Sequence, residues 1–204
     1  MVQKAADTRF STKRDQVLKA AAQCFNLKGF SGTSLKDVAN ILGLTDAALY
    51  YYVKNKEELV YLCYLRAVDV GWDALTRAID EGGSGYEILQ RYFDYHVDAM
   101  VGDEGPVAIL SEIPSLKAEH RDEILALSRR HSLRFEELLR QGIDDGSVRD
   151  CDIRMTGNAI MGSLNWIPKW YHGDDATADR VRAEFPRILA GSLQGPGGTS
   201  AAGN

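Results

Sequence analysis

From about Arg14 onward, apolar residues recur every three or four positions, the spacing that gathers them on one face of a helix. No stretch sustains two-residue alternation, and no Asn-Gly pair separates β-branched runs, so strand signals are absent. The pattern predicts an all-α chain. Leu35, Val38, Ala39 and Leu42 mark one short helix closed by Gly43, and Ala48 and Leu49 mark the next, which carries the residues from Thr45 to Tyr52. A long helix should run from Lys56 to about Ile79, with Leu59, Leu62, Cys63, Leu65, Ala67 and Val70 inward, ended by Gly82-Gly83-Ser84-Gly85. Another covers about Tyr86 to Val101, its apolar side made of Ile88, Leu89, Tyr92, Phe93, His96, Val97 and Met100. Gly105-Pro106 breaks the chain before a short helix from Val107 to Glu112, and Pro114 separates that from a long helix over roughly 116–142. A helix from about Cys151 to Tyr171 follows. The turn at 172–175 then leads to a last helix ending near Leu193, which Pro186 should kink or restart.

Local signals are densest between Thr33 and Leu59. Ser34 with Asp37 three residues on is close to a capping box; Thr45 caps the second helix; Asn55 before Lys56-Glu57-Glu58 caps the third. Gly43 stands where the first helix must stop in a left-handed conformation. Two short helices joined by a glycine turn, then a third, is the layout of a helix-turn-helix that sets one helix in the major groove of DNA. Tyr50, Tyr51 and Tyr52 cannot all be buried on a helix, because neighbours point about 100° apart. An outward hydroxyl there suits a phosphate oxygen.

With those residues in view, the segment from Arg14 to Tyr61 resembles the DNA-binding head of the TetR family of bacterial regulators. The resemblance rests on Phe25-Asn26-Leu27-Lys28-Gly29-Phe30, Thr33-Ser34-Leu35-Lys36-Asp37-Val38-Ala39, Gly43-Leu44-Thr45 and Leu49 through Leu59. Tyr52 stands where many relatives have histidine, and Val53 where they have phenylalanine, so the core should be lighter at Val53. The resemblance implies that Thr33, Tyr51 and Lys56 meet phosphates and that Thr45, Ala47, Ala48 and Tyr50 face the bases, with Lys36 and Asp46 completing the DNA-binding set. Ala47 and Ala48 offer only apolar contact to thymine methyls, which leaves the base sequence open.

The overall charge of −5 opposes DNA binding until it is divided. Residues 1–56 carry nine Lys/Arg against four acids, a net of +5; residues 57–204 carry fifteen against twenty-five, a net of −10. A basic head on an acidic body concentrates phosphate affinity at one end. Expected divisions are a disordered arm at 1–10, the head at 11–55, an effector-binding and dimerisation body at 56–194, and a disordered tail at 195–204. No run of about 18 apolar residues occurs, so a transmembrane helix is not expected, and residues 1–15 lack the apolar core that a secretory signal needs. Cys24, Cys63 and Cys151 lack any paired spacing, which fits free thiols in a reducing cytoplasm.

The chemistry of the body is less legible. Gly157, Gly162 and Pro168 lower the helix propensity of a segment that ends in Asn165-Trp166-Ile167-Pro168-Lys169-Trp170-Tyr171. Two readings stand: helix packing at a dimer interface, or the wall of an effector pocket made by Met161, Asn165, Trp166 and Trp170. Tyr92, His96 and Met100 form a stripe that could line the same cavity, although an interior histidine needs only a hydrogen bond. Arg129-Arg130-His131 reads either as a solvated face or as an anion contact. The Asn-Trp ending resembles TetR regulators of fatty-acid and sterol breakdown, which implies an acyl-CoA effector. The family further implies a homodimer on a palindromic operator. No GxSxG, GxGxxG, P-loop, HExxH or metal-ligand spacing occurs, so neither an enzyme nor a cofactor is expected. The competing reading is a helical ligand-binding protein whose head no longer functions.

Overall fold

The computed structural model describes residues 2–102, 110–171 and 175–196. Its elements are α1 (Val2–Gly32), α2 (Leu35–Ile41), α3 (Asp46–Leu49), α4 (Lys56–Asp80), α5 (Gly85–Val101), α6 (Ala118–Asp144), α7 (Ile153–Trp170) and α8 (Asp175–Gly191), with a 3₁₀ turn at Leu110–Ser115. The fold is all-α. Among the described residues the only strand-like pairing is an isolated bridge, Val148 with Gln194. No helix there is long and apolar enough to cross a membrane.

Two apolar cores share α4. At about 1.5 Å per residue, its 25 residues span roughly 37 Å, enough to reach from one to the other. The first core joins Val17, Ala21 and Phe25 of α1, Val38 and Ala39 of α2, and Leu49 to Leu59, Val60 and Tyr64 of α4. Leu116, just before α6, and Ile124, in its second turn, close it. The second packs Leu75 and Ala78 of α4 against α5, the second half of α6, α7 and α8. Because α1 and α6 both pack on the first half of α4, its buried stripe there runs through Val60 and Tyr64, and Leu62 and Leu65 are only half-buried. Cys24 and Cys63 lie in the first core as free thiols, and burial pushes the Cys63 thiol up to about 12.

The expectation at Pro114 needs correcting, and of the two outcomes expected at Pro186, a kink or a restart, the restart does not occur. The short helix expected at 107–112 falls partly outside the described residues, and the element present is the 3₁₀ turn, which contains Pro114 instead of ending before it. α8 runs through Pro186 without restarting. The roughly 3 kcal/mol helix penalty of a proline is offset by Val181, Leu189 and Ala190, which hold α8 in the second core on both sides of it. The start of α5 is tied to the end of α6: Asp145 accepts the Gly85 N–H at 2.7 Å and Ser147 accepts the Tyr86 N–H at 2.9 Å. The helices meet glycine to glycine, since a Cβ on Gly85 would fall on the Cα of Gly142.

Candidate functional site

The head is built by its caps. Ser34 donates its N–H to Asp37 Oδ2 at 2.8 Å and its hydroxyl at 2.5 Å, and accepts the Asp37 N–H at 3.1 Å. These bonds, the Ser34 hydroxyl first, together with Lys28 at 3.0 Å, hold the Asp37 carboxyl well below the usual carboxylate range. Gly43 takes φ +61, and the Leu44 N–H returns to the Ala39 carbonyl at 2.9 Å. Thr45 accepts the Ala48 N–H at 3.2 Å, which starts α3. Asn55 accepts the Glu58 N–H at 2.8 Å, which starts α4.

α3 is shorter than the run of tyrosines suggests. It ends at Leu49, and Tyr50 caps it. The next two tyrosines lie in a turn closed by the Tyr52 N–H on the Leu49 carbonyl at 2.9 Å. That turn resolves the crowding: Tyr50 and Tyr51 are 56% and 72% exposed, while Tyr52 is half-buried with its ring edge-on to Tyr51. Lys36, Thr45, Asp46 and Ala47 are also exposed. Ala48 and Lys56 are half-buried, the Lys56 Nζ lying 4.0 Å from the centre of the Phe30 ring. Thr33 is buried, its hydroxyl donating to the Gly29 carbonyl at 2.9 Å.

A second feature lies in the body, where α4, α5, α6 and α7 surround a partly open cavity of about 100 Å³. α5 contributes His96, α7 contributes Met161 and Asn165, and α6 contributes Ser128, His131 and Ser132 against Gly71 of α4. His96 is 5% exposed, and neither ring nitrogen has a hydrogen-bond partner among the described residues. Burial, reinforced by the nearby His131, pushes its pKa down to about 3, so the ring is neutral. His131 bonds through Nε2 to the Gly71 carbonyl at 3.2 Å. Tyr92 stacks obliquely 5.3 Å from His96 and donates to the Met161 sulfur at 3.7 Å.

Of the seven expected effector residues, the fold thus gathers Tyr92, His96, Met161 and Asn165. Met100 is buried in the second core and does not line the cavity. Trp166 is 59% exposed, and Trp170 sits beside Phe185 on the outer side of α7 and α8, around an open hollow of about 300 Å³. His131 faces inward although Arg129 and Arg130 beside it are exposed, so that triplet is not one solvated face. Ser128, His131 and Ser132 at i, i+3, i+4 spacing were the readable sign of a polar inward stripe.

The family model described as bacterial regulatory proteins, tetR family, matches residues 17–61, and that of the tetracyclin repressor-like C-terminal domain matches residues 82–189. The chain belongs to the TetR family. TetR relatives similar along most of the chain include the transcriptional repressor KstR2 of Mycolicibacterium smegmatis, 24% identical over 193 residues, covering 90% of this chain and 91% of that protein. Among solved structures, the TetR regulator PfmR from Thermus thermophilus superposes with a TM-score of 0.69 at 31% identity, over 87% of this chain and 98% of that one. AibR, solved in complex with isovaleryl coenzyme A and operator DNA, shares the fold at a TM-score of 0.65 and 24% identity, over 83% and 96% of the two chains.

Within this TetR fold, Val53 fills its place in the head core at 2% exposure. Sequence reasoning missed the joint between the first turns of α4, directly after the head, and the start of α6. Glu57, in the first turn of α4, accepts the Lys117 N–H at 3.0 Å and pairs with His120 Nδ1 at 2.8 Å. Tyr61 stacks on the His120 ring at 3.8 Å and donates to Glu123 at 2.6 Å. Burial alone would raise the Glu57 carboxyl; the Lys117 N–H and His120 outweigh it and leave the group lowered. The partners are about 60 residues apart in sequence, so no local spacing announces them.

Proposed function

We propose that the protein is a cytoplasmic, homodimeric transcriptional repressor, released from a palindromic operator when an acyl-CoA thioester enters its body. The observation that carries the reading is the capped turn from α2 to α3, which leaves Lys36, Thr45, Asp46, Ala47, Tyr50 and Tyr51 accessible on the basic end of the chain. Those side chains supply phosphate contacts and a short reading edge. The repressor KstR2 and the AibR complex with isovaleryl coenzyme A and operator DNA support both halves of the proposal.

A single head makes few contacts, and a two-fold dimer doubles them on half-sites about 34 Å apart. Met155, Trp166 and Trp170 of α7 with Ile188 of α8 form exposed apolar material suited to a second copy. Release runs through α6. This helix carries Ser128, His131 and Ser132 at the cavity, and its first turns hold Glu57 and Tyr61 of α4, directly after the head. A ligand that fits better with α6 displaced favours a head spacing that misfits the operator, and affinity falls only by that difference in binding. Footprinting on the DNA upstream of the protein's own gene tests this. A protected palindrome that opens on adding a short-chain acyl-CoA is expected. Absence of protection at micromolar protein contradicts the reading.

A further inference from the structure

Resting on the acyl-CoA reading above, we infer that the body cavity receives only the uncharged, oxygen-bearing tip of the effector, about six heavy atoms or fewer, with His96 as its hydrogen-bond partner.

Size sets the first limit. An apolar cavity of about 150 Å³ takes a benzene ring, so the roughly 100 Å³ here holds a short branched acyl group and not a long chain. Charge sets the second. Among the described residues, none of those lining the cavity is Lys, Arg, Asp or Glu. A carboxylate or phosphate drawn inside would lose its water without gaining a counter-ion. The exposed Arg129 and Arg130, beside the lining Ser128, leave anionic parts of the ligand a place outside.

Hydrogen bonding sets the third limit. A buried polar group without a partner is costly, and the two ring nitrogens of His96, at the cavity wall, have no partner among the described residues. As a neutral imidazole it offers one N–H to a ligand oxygen. His131 has given its Nε2–H to the Gly71 carbonyl, which leaves Nδ1 as an acceptor. Gly71 is where α4 comes nearest the two rings: a Cβ there would stand 3.4 Å from His131 Nε2 and 3.5 Å from His96 Cε1.

Calorimetric titration with isobutyryl-CoA and palmitoyl-CoA, and ligand-observed NMR with isobutyramide and isobutyrate, test the assignment on the whole protein. His96→Phe and Gly71→Ala are the variants. The second narrows the cavity while improving helix propensity, so lost binding is not lost folding. Expected results are isobutyramide over isobutyrate and isobutyryl-CoA over palmitoyl-CoA. Both favoured probes should weaken about tenfold in His96→Phe and measurably in Gly71→Ala. A preference for isobutyrate or for palmitoyl-CoA overturns the assignment. Thioester binding indifferent to both variants also overturns it and leaves the acyl-CoA reading standing. Isobutyramide binding that depends on His96, with neither thioester bound, keeps the assignment and overturns the acyl-CoA reading. Binding of none of the four overturns both.

Discussion

His96 shows what a single buried side chain does to the whole protein. Its pKa is about 3 in the fold against about 6.5 in an open chain. Between those values the unfolded chain binds the extra proton, so stability falls as pH falls below about 6.5 and is unaffected above it. The titratable groups facing it are His131, which burial also lowers, and Tyr92, which burial raises. At pH 5 the expected cost from His96 is about 2 kcal/mol. Urea denaturation at pH 7.5 and pH 5 should show that loss, and His96→Gln should remove most of it; an equal acid slope in the variant would contradict the assignment of the proton. Legibility at this scale follows sequence distance. Ser34, Thr45 and Asn55 act on N–H groups three residues on, and each cap can be read directly from the sequence. Gly85 against Gly142, or Glu57 against His120, cannot be read that way, because the partners meet only after the helices pack.

At the scale of elements, α4 and α5 begin and end within about a residue of where apolar spacing and glycines place them. Spacing failed where local and tertiary terms compete. α3 stops at Leu49 because the chain must turn to bury Val53, and the tyrosines that looked helical are spent on that turn. α8 ignores Pro186 because the core holds it from both ends. The joint of α4 with α6 is the element-level device the proposed release depends on. Glu57→Gln keeps the shape and removes the charge that strengthens two hydrogen bonds. Stability should drop by about 1–2 kcal/mol in urea. The ratio of operator affinities without and with isobutyryl-CoA should shrink toward one. Unchanged stability together with an unchanged ratio would show that this joint transmits nothing.

For the whole molecule, the division of charge was visible in the sequence, and it explains how an acidic protein approaches DNA head first. The roles of the two tryptophans were not separable from sequence, since Trp166 and Trp170 on one helical stripe fit a pocket or an interface equally. The fold turns both to the outside. Trp166→Glu should therefore leave the monomer fold within about 0.5 kcal/mol, convert the proposed dimer to monomers in sedimentation, and weaken operator binding by at least about a hundredfold, because one head alone keeps half the contacts. A dimer that survives the change moves the interface elsewhere. The central claim, that the head binds duplex DNA through its phosphates, is tested most directly by the salt dependence of operator binding in the parent protein and in Lys56→Ala. The account predicts that log K falls linearly with log salt in the parent, and that Lys56→Ala weakens all duplexes about equally while lowering the slope by about 1. Binding that ignores salt, or a slope that Lys56→Ala leaves unchanged, would contradict it.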